Sequence, residues 1–343
     1  MDPKSIIQEV LSGKRPPRLP KALFGSGLWA YKQAGINRER MAEEPGRFIE
    51  VLSELYRNLD TDIVFPGSGL NSFPAEAIGG VLNFEGEGAP LLTTPIIQST
   101  NDLKRMENFD LTRSPYTESL VRVIEGIRKE LPDRFFAATS WGPFAWNMIL
   151  CDWEFLKTKL VSDRVFLKRV AELGVRLSTA FYEMLLEHDC IDAISIPDGA
   201  ATLLSVKDYT ELIQPLEKSL FSHFKEKGIL GIFHMCGEIA PQLHLYPDSG
   251  SAVITVDHHV TMERAYNTFF GKTVTAGNVH VIKSIKDGDE KQIGKDTSDC
   301  IAQVSDPFSN YILMPSCDLP INTPIENVKT FLSCAEQTMD RLA

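Results

Sequence analysis

A chain of 343 residues, 43% hydrophobic and 24% charged, is long enough for one large domain or two ordinary ones, and its acidic excess gives a net charge of −11. That balance speaks against nucleic acid and anionic membranes as partners, since both need a basic face. No apolar stretch reaches the ~18 residues of a membrane span, and the start Met1-Asp2-Pro3-Lys4-Ser5 lacks a signal-peptide core, so a cytoplasmic protein is expected.

The first sixty residues read as a helical N-terminal extension. Beyond them, short β-branched or aromatic runs alternate with longer helical patterns, the signature of βα units around a parallel sheet. The strands are predicted at residues 62–65, 135–139, 193–196, 231–233, 252–256, 273–276 and 311–313. Helical spacing of apolar residues covers 163–187, 206–227 and 324–342, the last opened by Asn322 or Thr323 with Pro324 and Glu326. The last four strands recur at intervals of roughly twenty to forty residues. One (β/α)8 TIM barrel over 61–343, with 1–60 packed on it, explains this more simply than two doubly wound domains.

Chemistry concentrates at strand ends. His234-Met235-Cys236 closes the run Ile229-Leu230-Gly231-Ile232-Phe233, and one intervening residue puts both side chains on the same side of an extended segment. Cys317 follows Tyr311-Ile312-Leu313-Met314 in the same way. These three residues suit one zinc ion, and a three-ligand set leaves a position open for chemistry. The six cysteines are too scattered for a disulfide framework. Cys151, Cys190, Cys300 and Cys334 read as core or surface residues.

In such a barrel the C-terminal strand ends form one mouth, which here would also gather Asp198, Asp257 and Asn278. Each of the three has a plainer reading as a helix cap or turn residue. His258 and His259 stay outside the metal set, because neighbours on an extended chain point to opposite faces. The fourth position of the zinc is left to water or to a carboxylate such as Asp257 or Glu76.

The strings His234-Met235-Cys236-Gly237, Gly277-Asn278-Val279, Pro315-Ser316-Cys317-Asp318-Leu319-Pro320 and Thr323-Pro324-Ile325-Glu326-Asn327 resemble the zinc methyltransferase branch of the uroporphyrinogen decarboxylase superfamily. Methylcobalamin:coenzyme M methyltransferases are its best-known members. The likeness is specific over about residues 190–340. It is weaker before that, at Phe73-Pro74-Ala75-Glu76-Ala77-Ile78-Gly79 and Thr139-Ser140-Trp141-Gly142-Pro143-Phe144. It implies the same barrel, with His234, Cys236 and Cys317 as zinc ligands and catalytic residues, and with Asp198, Asn278 and Glu76 lining the substrate cavity; Asp257 is a substrate-side candidate from its strand-end position alone.

The same resemblance implies methyl transfer from methylcobalamin to a thiol such as coenzyme M or to tetrahydrofolate. Corrinoid carriers hold their cofactor through an Asp-x-His-x-x-Gly segment, and Asp257-His258-His259-Val260-Thr261-Met262 lacks its glycine. The donor is therefore expected on a separate methylated corrinoid protein docked over the mouth. His280 stands where relatives often run on to Asp-Pro. Decarboxylases of the superfamily grip porphyrinogen carboxylates with N-terminal arginines, which the stretch Gly25-Ser26-Gly27-Leu28-Trp29-Ala30-Tyr31 lacks. A metal-free decarboxylase-like lyase and a non-catalytic zinc or corrinoid accessory protein are the rival readings.

Overall fold

The computed structural model describes residues 1–342. Its strands are β1 (Ile63–Val64), β2 (Leu82–Asn83), β3 (Leu91–Leu92), β4 (Phe135–Thr139), β5 (Ala193–Pro197), β6 (Leu230–Met235), β7 (Val253–Val256), β8 (Val274–Val279) and β9 (Tyr311–Pro315). Seven of them form one parallel sheet in the order β1-β4-β5-β6-β7-β8-β9, while β2 and β3 make a small antiparallel hairpin. All seven sheet strands coincide with runs predicted from the sequence.

The sheet closes on itself through a segment too short to count as a strand. Lys21 bridges Leu313 of β9, and Ala22 bridges Ile63 of β1, both in parallel. Ala22 N–H donates to the Leu313 carbonyl (3.0 Å), Leu313 N–H to Pro20 (2.9 Å) and Asp62 N–H to Lys21 (2.8 Å). This segment is the eighth stave of a barrel, the (β/α)8 architecture expected. It also changes the picture of residues 1–60. They do contribute helices, at Pro3–Leu11, Gly27–Gln33 and Pro45–Arg57. Between the first two, however, the chain enters the barrel wall instead of lying on its outside.

Period-two alternation sorts the strand residues into two layers. Ile63, Phe135, Ala137, Ala193, Ile232, Val253, Val274, Ala276, Ile312 and Met314 fill the interior, and Ile7 and Val10 of the first helix join them. Lys4 N–H donates to Asp133 just ahead of β4, so that helix covers the N-terminal end of the barrel. The outward residues, among them Phe136, Ile194, Ile196, Phe233, Ile254 and Leu313, pack under the surrounding helices. The helical stretch after β4 ends in Arg164–Glu187, and the one after β5 is Val206–Asp208, a π-helical turn Tyr209–Ile213 and then Gln214–Glu226. No helix among the described residues is long and apolar enough to cross a membrane.

With the N-terminal end plugged, the inward polar residues lie toward the strands' C-terminal ends. Ile232 faces inward on β6, so the same parity turns His234 inward one pleat higher and Cys236 at the rim above it.

Candidate metal centre at the barrel mouth

His234, Cys236 and Cys317 each present a donor atom, and these atoms lie within 4.8 Å of one another. The Cys317 thiol is 3.5 Å from His234 Nε2. His234 is 2% exposed, while both cysteines are only partly covered, so the group is anchored below and open above. The three residues singled out at two strand ends are thus brought together.

His234 is held from both sides. β6 and β7 are in register at His234 and Thr255, and the Thr255 hydroxyl meets His234 Nδ1. That contact leaves Nε2 directed at Cys317, as a metal-binding imidazole is usually arranged. Phe24, carried by the closing segment, stacks on the imidazole with ring centres 4.0 Å apart and planes 22° from parallel. Cys236 fits only because its neighbour is a glycine: a Cβ on Gly199 would come 2.3 Å from the Cys236 sulfur.

The two thiols shift each other's proton affinity in opposite directions. Hydrogen bonding from Cys317 holds Cys236 below the usual thiol range despite burial, and the same bond, with burial added, pushes Cys317 well above it. Of the two, Cys236 is therefore the thiol that gives up its proton more readily. Asp318 follows directly, exposed at the mouth, and its Oδ1 accepts from Ser26 N–H at 2.6 Å. A side chain on Gly25 would put its Cβ 1.8 Å from that same oxygen, and Gly25 has φ +60°.

The other candidate residues are placed differently. Asp198 lies at the end of β5 but is fully buried, and its carboxylate accepts from Phe144 N–H (3.0 Å) and Ala145 N–H (2.7 Å) at the start of the helix Pro143–Leu150. It caps a helix from a neighbouring strand, the plainer of its two sequence readings. Asn278 donates its amide to the carbonyls of Asp257 (3.0 Å) and Val260 (2.8 Å), which fixes the turn after β7. Glu76 receives the hydroxyl of Ser114, the cap of the helix Pro115–Glu130. None of the three belongs to the metal-donor group.

Asp257 does sit at the mouth. Its Oδ2 accepts from Gly237 N–H (3.0 Å), next to Cys236, and its Oδ1 from His258 N–H (2.5 Å). Burial would raise its pKa, but these two donors and the adjacent imidazoles hold it below the ordinary carboxylate value. The expectation that His258 and His259 face opposite ways is overturned. Residues 258 and 259 lie in a turn, not an extended strand, and their rings stand 4.4 Å apart on the same side.

Thr255, Phe24, Gly199 and Asp318 were not anticipated as parts of the site. Thr255 shares inward parity with Val253, and Asp318 adjoins Cys317, so both carried a readable signal. Phe24 and Gly199 carried none, because their roles depend on contacts between distant segments.

At the opposite end of the barrel, a cleft of about 420 Å³ is lined by Val10, Leu11, Lys225, Thr273 and Asn310 among others. Its lining contains none of the metal-donor residues. In this architecture that end serves stability more than chemistry.

The model of the uroporphyrinogen decarboxylase (URO-D) family matches residues 2–338. The chain belongs to the uroporphyrinogen decarboxylase family. A uroporphyrinogen decarboxylase from Carboxydothermus hydrogenoformans is 23% identical over 239 residues, which cover 66% of this chain and 65% of that protein. The match thus spans slightly under two thirds of that relative's length. Among solved structures, a methyltransferase from Methanosarcina mazei superposes with a TM-score of 0.80 at 16% identity over 99% of both chains. A B12-independent methionine synthase from Shewanella sp. W3-18-1 reaches a TM-score of 0.50 at 12% identity over 65% of this chain and 67% of that one. At these identities the structural likeness speaks for a shared fold.

Proposed function

We propose that this member of the family is a zinc-dependent methyltransferase, moving a methyl group from a methylated corrinoid to a thiol such as coenzyme M or to tetrahydrofolate. The observation that carries the reading is the convergence of His234, Cys236 and Cys317 at the C-terminal mouth of the barrel. One imidazole and two sulfurs are a borderline-soft donor set that suits zinc, and the residues present fit the ion. When bound there, zinc supplies a Lewis-acid centre that keeps an acceptor thiol ionised at neutral pH.

The protein's own groups prepare for this. Thr255 and Phe24 fix the ring of His234, leaving Nε2 free to coordinate. Two thiolates and a neutral imidazole would cancel the charge of a divalent ion held there, and the pair of sulfurs would keep such a centre electron-rich. Loading the site requires Cys317, whose thiol is held well above its usual range, to give up its proton.

The methyl donor is assigned to a separate corrinoid protein docked over the mouth. In support, the loops that follow strands on this face expose Val81 and Leu91 on the β2–β3 hairpin, Leu203 after β5 and Ile282 after β8. Scattered exposed apolar residues are ordinary, but several on the loops of one barrel face suit a protein partner.

A decarboxylase reading is less well supported, because anionic porphyrinogens need free arginines. Arg18 pairs with Asp62, and Arg38 is buried against the carbonyl of Gly86 at 2.7 Å. Metal analysis followed by methylcobalamin demethylation with thiols and tetrahydrofolate tests the proposal. One zinc per chain at the cysteines with acceptor-dependent demethylation supports it. Full turnover by Cys317→Ala would overturn the site assignment.

A further inference from the structure

The turn after β7 carries a second group of metal donors that the proposed activity does not use. Asp257 N–H donates to the Met235 carbonyl at 3.2 Å, and the Asn278 amide clamps the carbonyls of Asp257 and Val260 from the next strand. This clamp bends the chain so that consecutive imidazoles share one side. Asp257 Oδ1 meets His258 Nδ1, and Oδ2 lies 3.4 Å from His259 Nδ1. One donor atom from each of the three residues lies within 4.8 Å of the others.

The surroundings favour a bound ion over a solvated cluster. Asp257 is buried and oriented by Gly237 N–H, which pre-organises its carboxylate. His258 and His259 side chains are 33% and 38% exposed, which leaves an entry path. His280 stacks on His258 with centroids 3.8 Å apart, and its Nδ1 already accepts from Ile282 N–H (3.2 Å) and Lys283 N–H (3.4 Å). It therefore serves as a wall that fixes the His258 ring.

We propose that Asp257, His258 and His259 form a second divalent-metal site, distinct from His234, Cys236 and Cys317, that takes a borderline transition ion such as Co²⁺, Ni²⁺ or Zn²⁺. Two imidazoles and a carboxylate match such ions and lack the thiolates of the first centre. Three protein ligands leave coordination positions for water or an anionic oxygen. The site opens on the same mouth, since Ser316, adjacent to Cys317, has its hydroxyl 3.5 Å from His258 Nδ1. It stands independently of the methyltransferase reading.

The test is titration of the metal-stripped full chain with Co²⁺, following bound metal and the thiolate charge-transfer band together. The wild type should bind two ions per chain, only one of which adds to that band. Cys236→Ser with Cys317→Ser should keep one ion and lose the band. His258→Ala with His259→Ala should keep the band in full and bind one ion fewer. Because these histidines are partly exposed, that variant should fold, and circular dichroism checks it. A wild type that binds only the thiolate-linked ion, or a histidine variant that still binds two, would overturn the proposal. Failure of the first centre alone would show as a missing band with the other ion retained.

Discussion

Thr255 and His234 sit opposite each other on paired strands, and the threonine hydroxyl occupies the imidazole nitrogen that faces away from Cys317. Replacing Thr255 with valine keeps the shape but removes the hydroxyl. Metal affinity should fall about 10–100-fold, the usual cost of losing such a supporting partner. Competition with a chromophoric chelator measures this, and unchanged affinity would deny Thr255 its orienting role.

Gly199→Ala tests the packing around Cys236. The new methyl would press on the sulfur at 2.3 Å and force it aside. Stoichiometric metal binding should be lost while far-ultraviolet circular dichroism keeps the barrel signature. A variant that loads normally would mean the sulfur has room to move.

Metal uptake should depend on pH through the Cys317 thiol proton. Cys317 stays protonated above the usual thiol range in the metal-free protein, so loading releases its proton. Apparent affinity should rise with pH across the neutral range, by about tenfold per unit for each proton displaced. Proton release on zinc addition to a weakly buffered sample reads the same quantity directly.

Stability should show a second pH dependence. Burial raises the pKa of Asp198 to about 7 and pushes the neighbouring Glu217 well above the carboxylate range, with Asp198 adding to the latter shift. Both groups hold protons more tightly folded than unfolded. Their contribution is thus fully present below about pH 4, near the unfolded carboxylate pKa, and is lost as pH rises through about 7 and beyond. Glu217→Gln should flatten the decline of the melting temperature between pH 5 and 8, and an unchanged slope would remove this pair as its source.

Much of the barrel was legible because its strands are fully buried, and burial on both faces writes continuous β-branched and aromatic runs. The eighth stave was not. Its pairing rests on two residues between Pro20 and Phe24, with no periodic pattern to read. At the site, parity along β6 revealed His234 and Cys236, since a fixed repeat carries their direction. Asp198 and Asn278 show the opposite limit. Their positions at strand ends were readable, but whether each side chain turned to the mouth or to a neighbouring backbone depended on segments far away in sequence. His258 and His259 were misjudged because the turn is imposed by Asn278 from another strand.

The bridge between Lys21 and Leu313 also bears on how the protein matures. Ser26 and Asp318, the pair that joins the two ends of the mouth, are 292 residues apart in sequence. Contacts so distant form late, because a long loop must close before they are rewarded. On a ribosome, the stave carrying Phe24 emerges long before β9 and must wait for it before the wall is complete. Cys317 arrives with that same last strand, so its meeting with His234 and Cys236 coincides with barrel closure.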